Sequence, residues 1–205
     1  MNIFQLNSSL FSGNGQSSRL ADEIVAVLRT QDPGAEVVVR DLARDPVPHL
    51  DGSRFAAFTT QKGSRTEAQE VVVACSDRLI GELRRADVVV IGLPMYNFGV
   101  PSQLKAWFDH VARAGETFRY TDKGPVGLLT GKKVYVTAAR GGIYAGTPAD
   151  TQTQYVRDFL AFLGMSDVQF VYAEGLAIDA PTREKALADA QASIRRLAGE
   201  ERLAA

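Results

Sequence analysis

The sequence predicts one three-layer α/β domain in which helices cover both faces of a five-stranded parallel sheet. Strand-like and helix-like segments alternate along the chain, which is the pattern of successive βαβ units. The third predicted strand, residues 87–92, is apolar after its first residue, as in parallel strands that are buried on both faces. A length of 205 residues fits a single domain, and we expect residues 1–205 to form it.

Short apolar runs bounded by turn residues predict the strands. In chain order they lie at residues 2–6, 36–40, 87–92, 133–137 and 168–171. Apolar residues that recur three or four positions apart predict the helices, as Leu20, Ile24 and Leu28 do in the first one. The five predicted helices lie at residues 17–30, 66–84, 102–112, 151–163 and 182–198. Ligands of parallel sheets bind outside the carboxyl ends of the strands, so we expect the site in the loops that follow strands one, three and four.

Two stretches interrupt the alternation. Residues 44–65 form a long segment with several prolines and glycines, and such segments are usually functional rims or mobile loops. Residues 115–131 predict a small hairpin that is inserted before the fourth strand. Its aromatic residues Phe118 and Tyr120 are candidates for the wall of a substrate pocket.

Composition excludes several classes of function. The chain has 23 basic and 24 acidic residues, so no basic surface for nucleic acid is expected. Cys75 is the only cysteine and implies no disulfide framework. The first residues lack the basic start of a secretory signal, and no apolar run is long enough to span a membrane. We expect a cytoplasmic protein that binds neither nucleic acid nor membrane, and no ligand spacing suggests a metal site.

The loop after the first strand is typical of an anion site. It is rich in Ser, Gly and Asn and leads directly into a helix, whose first N–H groups and positive dipole end favour phosphate. Its candidate donors are the hydroxyls of Ser9, Ser17 and Ser18 and the side-chain amide of Gln16. The same residue types are also common in helix caps and turns, so this loop alone leaves both interpretations open.

The loop after the third strand is apolar and aromatic where a polar loop is expected. Pro94 and Pro101 stiffen it by fixing φ. A stiff loop of this kind can pack against a flat ring while its backbone reads the polar edge of that ring. The candidate contacts are Met95, Tyr96, Asn97 and Phe98.

The loop after the fourth strand contains Ala139, Arg140, Gly141 and Gly142. Paired glycines let backbone amides approach a ligand closely, and amides or a cation would stabilise negative charge on a reduced ring. The alternative is a Gly-Gly turn beside a surface arginine. No side chain is predicted to be catalytic: His49 and His110 are the only histidines, and hydride transfer requires neither. Cys75, Trp107 and Phe108 are expected in the core or, for the last two, at a subunit contact.

Several of these segments together resemble one known family. They are residues 94–98 (Pro-Met-Tyr-Asn-Phe), 103–105 (Gln-Leu-Lys), 112–120 (Ala-Arg-Ala-Gly-Glu-Thr-Phe-Arg-Tyr), 130–133 (Thr-Gly-Lys-Lys), 140–142 (Arg-Gly-Gly) and 173–175 (Ala-Glu-Gly). The chain resembles the FMN-dependent NADH azoreductases, also described as NAD(P)H:quinone oxidoreductases, over essentially its whole length. The resemblance implies a flavodoxin-like fold, FMN as the bound cofactor, NADH or NADPH as the reductant and a homodimer.

By this resemblance, the FMN phosphate is bound by Ser9 and by Gly15, Gln16 and Ser17. Residues 95–98 contact the isoalloxazine ring and ribityl chain, and residues 139–142 close over the pyrimidine end. The family often has serine where this chain has Gly15 and Ala139. The loss of two hydroxyls predicts a lower FMN affinity than is typical.

The implied reaction is a ping-pong transfer of two electrons from NAD(P)H to quinones or azo compounds. Two alternatives remain open from the sequence. One is a flavodoxin-type electron carrier without its own substrate pocket. The other is a flavin-free nicotinamide-dinucleotide reductase, which would use the glycines of the first loop and Asp41 at the end of the second strand. The choice between NADH and NADPH and the physiological acceptor stay open.

Overall fold

A computed structural model describes the backbone of residues 1–204 and the side chains of residues 1–197. The strands are β1 (Asn2–Asn7), β2 (Glu36–Asp41), β3 (Val88–Pro94), β4 (Phe118–Thr121), β5 (Gly124–Gly127), β6 (Lys133–Ala139) and β7 (Asp167–Ala173). The helices are α1 (Gln16–Gln31), α2 (Gly52–Thr59), α3 (Glu67–Arg85), α4 (Ser102–Val111), α5 (Thr153–Leu163) and α6 (Ala180–Ala204).

Five parallel strands form the main sheet in the order β2-β1-β3-β6-β7. The predicted α/β fold and its five parallel strands are therefore confirmed. Several strands run one or two residues further than predicted, since β1 ends at Asn7 and β6 at Ala139. Asn7 pairs with Asp41 and Gly92, and Ala139 pairs with Pro94. Pairing with neighbours thus carries the strands into segments whose composition predicts loop.

Alternate residues of the strands feed two separate cores, because successive side chains of a strand point to opposite faces. Phe4, Val89 and Ile91 pack with α3, α4 and α5 on one face, where Trp107 and Phe108 are fully buried. Ile3 and Val90 pack with α1 and α6 on the other face. The sheet is covered on both sides, and the predicted core positions of Trp107 and Phe108 agree with the structure.

The inserted hairpin is present before β6. Its strands β4 and β5 pair antiparallel and stand apart from the main sheet. Gly127 lets the hairpin lie directly against the end of α5. A Cβ atom at this position would lie only 2.1 Å from the backbone nitrogen of Gly164, so a side chain would prevent this contact. The backbone N–H of Leu129 donates to the carbonyl oxygen of Leu163 at 2.8 Å and completes the contact.

The long segment after β2 contains a short helix, α2, which the sequence did not predict. Asp51 caps this helix by accepting a hydrogen bond from the backbone N–H of Arg54 at 2.8 Å. Eight residues give too few apolar repeats to stand out between nearby prolines and glycines. Within the described part of the chain, no helix has the length and apolar character needed to cross a membrane.

Candidate cofactor site

Three loops meet at the carboxyl edge of the sheet, as the sequence predicted. They are the β1 loop (residues 8–15), the β3 turn (residues 96–99) and the β6 loop (residues 140–145). Tyr96 joins the first two, because its hydroxyl accepts a hydrogen bond from the backbone N–H of Leu10 at 3.2 Å and lies 3.4 Å from the hydroxyl of Ser9. The backbone N–H of Met95 donates to Ala139 at 3.1 Å and joins the β3 segment to the end of β6.

The start of α1 offers a set of unmatched donors. Gly15 is the N-cap residue and provides no side-chain cap, so the first N–H groups of the helix lack partners within it. The hydroxyls of Ser17 and Ser18 are buried without a hydrogen-bond partner. No acidic residue stands in the first turn to occupy these groups or repel an anion. This arrangement fits the terminal phosphate of a nucleotide.

Gly15 is required by space rather than by its backbone conformation. Its φ is −70°, which any residue adopts, but a Cβ atom here would lie 2.1 Å from Oγ of Ser9. The Ser9 hydroxyl therefore occupies the place that a serine side chain at position 15 would need. Ser9 therefore places a hydroxyl where the family resemblance implies that Gly15 lacks one.

The β3 turn has an unusual backbone. Asn97 and Phe98 have φ values of 50° and 60°, and Tyr96 and Gly99 exchange both backbone hydrogen bonds, at 3.2 and 3.0 Å. Two consecutive left-handed residues define a tight turn that normally needs Asn or Gly, and a bulky residue such as Phe98 is strained there. Such strain is typical of functional sites. Met95 and Tyr96 are half-buried, whereas Asn97 and Phe98 are exposed.

Gln152, which precedes α5, holds the β3 turn in place. The sequence did not predict this role. Its fully buried side-chain amide donates to the carbonyl oxygens of Pro94 at 2.9 Å and Gly99 at 3.0 Å. The neighbouring Thr151 hydroxyl donates to the carbonyl oxygen of Phe98. Nothing in the local sequence marks either residue, because their partners lie 53 to 58 positions away.

Arg140 is fully buried, so the alternative of a surface arginine is wrong. Its guanidinium donates to Asp150 at 2.8 Å and to Glu174 at 3.0 Å. Burial by itself would raise the pKa of Asp150, but hydrogen bonds from Arg140 and Thr153 outweigh it and lower the pKa to about 2. With its charge matched by two carboxylates, Arg140 is a brace of the site rather than a free cation for a reduced ring.

The β6 loop keeps its backbone amides for a ligand. Glu174 accepts hydrogen bonds from the N–H groups of Tyr144 and Ala145, both at 3.0 Å, and so fixes the far end of the loop. The carbonyl oxygens of Gly141 and Gly142 accept hydrogen bonds from the N–H groups of Ala177 and Gly175. The N–H groups of the two glycines have no described partner and are available to a ligand. A Cβ atom at Gly142 would lie 2.5 Å from the Tyr144 hydroxyl, so any other residue here would displace the end of the Tyr144 side chain.

The two hairpin aromatics separate. Phe118 is only 7% exposed and packs on Phe162, with ring centroids 4.3 Å apart, so it lies in the core rather than on the wall of a pocket. Its first position on β4 turns it towards α5, which sequence spacing could not show. Tyr120 is 73% exposed and remains a candidate for contact with substrate.

The remaining candidate groups do not join the site. His110 is buried, its Nδ1 donates to the carbonyl oxygen of Ala106 at 3.0 Å, and burial lowers its pKa. Cys75 is half-buried against the core. A search of the described residues found no cluster of His, Cys, Asp and Glu that could hold a metal ion.

Asp41, the residue that favoured a dinucleotide site, is already engaged. Its carboxylate accepts hydrogen bonds from the Ser12 hydroxyl and, at 3.0 Å, from the backbone N–H of Ala43. It lines a cavity of about 470 Å³ together with Asp22 and Asp45. Arg40 and Arg44 line the same cavity, so three carboxylates against two guanidinium groups leave it with a net negative charge, which disfavours a pyrophosphate. Asp41 acts as a brace for the β1 loop through its bond to Ser12.

Comparison with known proteins gives consistent likenesses. A family model described as "Flavodoxin-like fold" matches residues 1–198. An FMN-dependent NADH:quinone oxidoreductase of Cellvibrio japonicus (strain Ueda107) is 54% identical over 94% of this chain and 96% of its own. Its counterpart in Alcanivorax borkumensis is 56% identical over 95% of this chain and 98% of its own.

Solved structures of azoreductases have the same fold. An azoreductase of Bacillus anthracis str. Sterne superposes with a TM-score of 0.88 and 27% identity, covering 98% of this chain and 99% of the other. An FMN-dependent NADH-azoreductase of Bacillus anthracis str. Ames Ancestor, solved in complex with FMN, gives 0.85 and 27% identity over 97% of this chain and 100% of the other.

Proposed function

Because the chain belongs to the flavodoxin-like family of FMN-dependent NADH:quinone oxidoreductases, we propose that its three-loop site binds FMN and passes two electrons from NADH to quinones and azo compounds. The family resemblance expected from the sequence motifs is confirmed. The observation that carries the proposal is the convergence of unmatched donors from all three loops around one edge of the sheet.

Each loop has a separate task in this proposal. The start of α1 holds the phosphate with the N–H groups of Gln16 and Ser17 and the hydroxyl of Ser9. The β3 turn orients the ring by hydrogen bonds from the N–H groups of Asn97 and Phe98. These two groups are available because they donate to no other described residue. The amides of Gly141 and Gly142 lie near the pyrimidine end, where they stabilise negative charge on a reduced ring.

FMN, when bound, supplies the hydride chemistry between the nicotinamide and the acceptor. The chain's own residues bind and orient the reactants, and no side-chain acid, base or nucleophile is assigned. In the proposed ping-pong scheme NAD(P)H leaves before the quinone or azo compound enters the same place. Exposed Phe98 and Tyr120 are the side chains proposed to contact these flat molecules.

We also assign a homodimer to the working protein. Large apolar side chains of the three loops are exposed, namely Leu10, Phe11, Phe98 and Ile143. A second copy of the chain would cover such residues and enclose the cofactor, since exposed apolar patches mark interaction surfaces. Light scattering of the purified protein would test this assignment.

The proposed compartment is the cytoplasm.

A visible spectrum is the first experiment. Protein that stays colourless after incubation with FMN and desalting would contradict the proposal and reopen the flavin-free alternative. Protein that binds FMN should be bleached by NADH under anaerobic conditions and recover its colour when a quinone is added. A flavin that NADH and NADPH cannot bleach would instead indicate an electron carrier. Initial rates with quinones, azo dyes and both nicotinamides then rank the substrates.

A further inference from the structure

We propose that Gln152, assisted by Thr151, is a positioning residue that sets both the affinity of the site for FMN and the potential at which bound FMN is reduced. Both residues lie at the start of α5, outside the three loops, and neither is among the residues proposed to contact the cofactor. The inference rests on the proposed function, because it concerns how the β3 turn presents its backbone to the flavin ring.

The two hydrogen bonds of Gln152 span the β3 turn from one end to the other. One side-chain nitrogen donates to Pro94, the last residue of β3, and to Gly99, the last residue of the turn. Both acceptors are carbonyl oxygens, so the side-chain amide cannot flip without losing both bonds. Thr151 adds a third tether in the middle of the turn, on the carbonyl oxygen of Phe98.

These tethers hold a conformation that the turn would not choose by itself. Asn97 and Phe98 are both left-handed, and Phe98 is bulky. Fixing the carbonyl oxygens on one side of the turn leaves the N–H groups of Asn97 and Phe98 as its free donors. Donors that are fixed before binding stabilise developing negative charge without reorganisation. The amide of Gln152 therefore acts on the ring through the backbone of the β3 turn.

The orientation of the Gln152 side chain leaves its carbonyl oxygen in an unfavourable environment. Its Oε1 atom is buried without a hydrogen-bond partner. Buried polar atoms are almost always paired, and here the two bonds donated by the same amide fix the orientation that leaves Oε1 without a partner.

Gln152 is further tied to the brace of the β6 loop. Its backbone N–H donates to Asp150 at 3.3 Å, and Asp150 accepts from Arg140. Arg140 also holds Glu174, which fixes the N–H groups of Tyr144 and Ala145. One buried guanidinium thus supports both walls of the site, and Asp150 is the charged group that bonds to Gln152.

The test compares two substitutions of Gln152. Gln152→Met keeps the length of the side chain and removes both donors. Gln152→Glu also removes them while it is ionised, but its protonated form regains one O–H donor. The same two changes at Gln154, which is exposed on the same helix and bonded only to Asp158, provide matched controls.

The measurements are the FMN dissociation constant of the apoprotein, the flavin potential at saturating FMN, and melting by circular dichroism. We expect Gln152→Met to weaken FMN binding about ten- to a hundredfold, as for two lost buried hydrogen bonds. Reduced FMN should lose more affinity than oxidised FMN, so the potential should become more negative. Gln152→Glu should recover part of the affinity as pH falls, relative to wild type and to Gln154→Glu at each pH.

The outcomes separate the inference from the function on which it rests. Wild-type protein that does not bind FMN overturns the proposed function. Wild-type protein that binds FMN, with Gln152 variants of unchanged affinity and potential, overturns the positioning role. If the Gln152 variants fail to fold, Thr151→Ala decides, because Thr151 is exposed and its loss leaves the core intact. That variant should shift affinity and potential in the same direction by a smaller factor, and equality with wild type would reject the inference.

Discussion

The β1 loop and the β3 turn are both proposed to contact FMN, yet they are held in different ways. The β1 loop is shaped by local backbone bonds, from Ser12 to Ser9 at 3.0 Å and from Gly15 to Ser12 at 3.2 Å, and Asp41 and Tyr96 brace it from outside. The β3 turn is fixed from α5, by a glutamine 58 residues away from Pro94. An anion needs only the free donors of a helix start, whereas a ring needs a backbone set at one angle by the surrounding fold.

This difference predicts that changes to the scaffold damage the ring side of the site and changes to the loop damage the phosphate side. The largest expected effect is on the scaffold. Arg140→Met removes the cation shared by Asp150 and Glu174 and leaves two half-buried carboxylates without an ion partner. We expect the free energy of unfolding to fall by about 3–5 kcal/mol, as for other broken buried ion pairs. Urea denaturation measures it.

The control is Arg119→Met, at an exposed position of the hairpin. It should change the unfolding free energy by no more than about 0.5 kcal/mol. Equal stability of the two variants would mean that Arg140 does not brace the β6 loop and the start of α5.

The second effect is on the β1 loop. Gly15→Ala places a methyl group 2.1 Å from Oγ and 2.6 Å from Cβ of Ser9. Relief requires the β1 loop to move, so we expect FMN binding to weaken up to about a hundredfold, with little change in melting temperature. Fluorescence titration of the apoprotein with FMN measures the affinity.

The double variant Ser9→Gly with Gly15→Ala tests the cause. It removes the clash, and affinity should return to about that of Ser9→Gly alone. If the double variant binds FMN as poorly as Gly15→Ala, the space around Ser9 is not what requires glycine at this position.

The third effect is the pH dependence of the scaffold. The pKa of Asp150 is lowered from 3.8 to about 2, so its contribution to stability is complete above pH 3.8 and is lost as pH falls towards 2. The contribution amounts to roughly 2 kcal/mol. Asp150→Asn should therefore lower stability at pH 7 and flatten the acid limb of a stability profile.

Asp158→Asn, at an exposed position of α5, is the matched control and should leave the acid limb unchanged. A wild-type profile between pH 4 and pH 2 that matches that of Asp150→Asn would argue against a stabilising pair of Asp150 with Arg140.

The smallest effect concerns a single hydroxyl. Ser17→Ala removes a buried hydroxyl that has no partner in the protein, so stability should stay the same or rise slightly. FMN affinity should fall by about fivefold, as for one lost hydrogen bond. Loss of stability without loss of affinity would show that the hydroxyl serves the fold and not the phosphate.

Much of the fold could be predicted because it depends on local pattern. Alternation of Ile3 with Phe4 and of Val89 with Val90 between the two cores follows from the two-residue period of a strand. The loop rich in glycine and serine before α1 likewise predicts the start of a helix with free N–H donors. The short helix α2 was missed because its pattern is too brief to be distinguished from a loop.

The side-chain roles were harder to predict. Phe118 and Tyr120 lie two positions apart on one strand, yet one is in the core and the other is exposed. The sequence predicts Arg140 as a surface residue or as a cation for the ring. In the structure its buried guanidinium is paired with two carboxylates. In each case the deciding partner belongs to another element.

The sequence by itself determined the number of strands in the main sheet, their places along the chain, the positions of the three loops and the family to which the chain belongs. These features depend on residue type and on short spacings, which are written along the chain. Only the tertiary structure decided which side chains hold those loops in place. Arg140, Gln152 and Glu174 act across 10 to 58 residues of chain. Such contacts form only when the sheet brings distant segments together, so no local pattern encodes them.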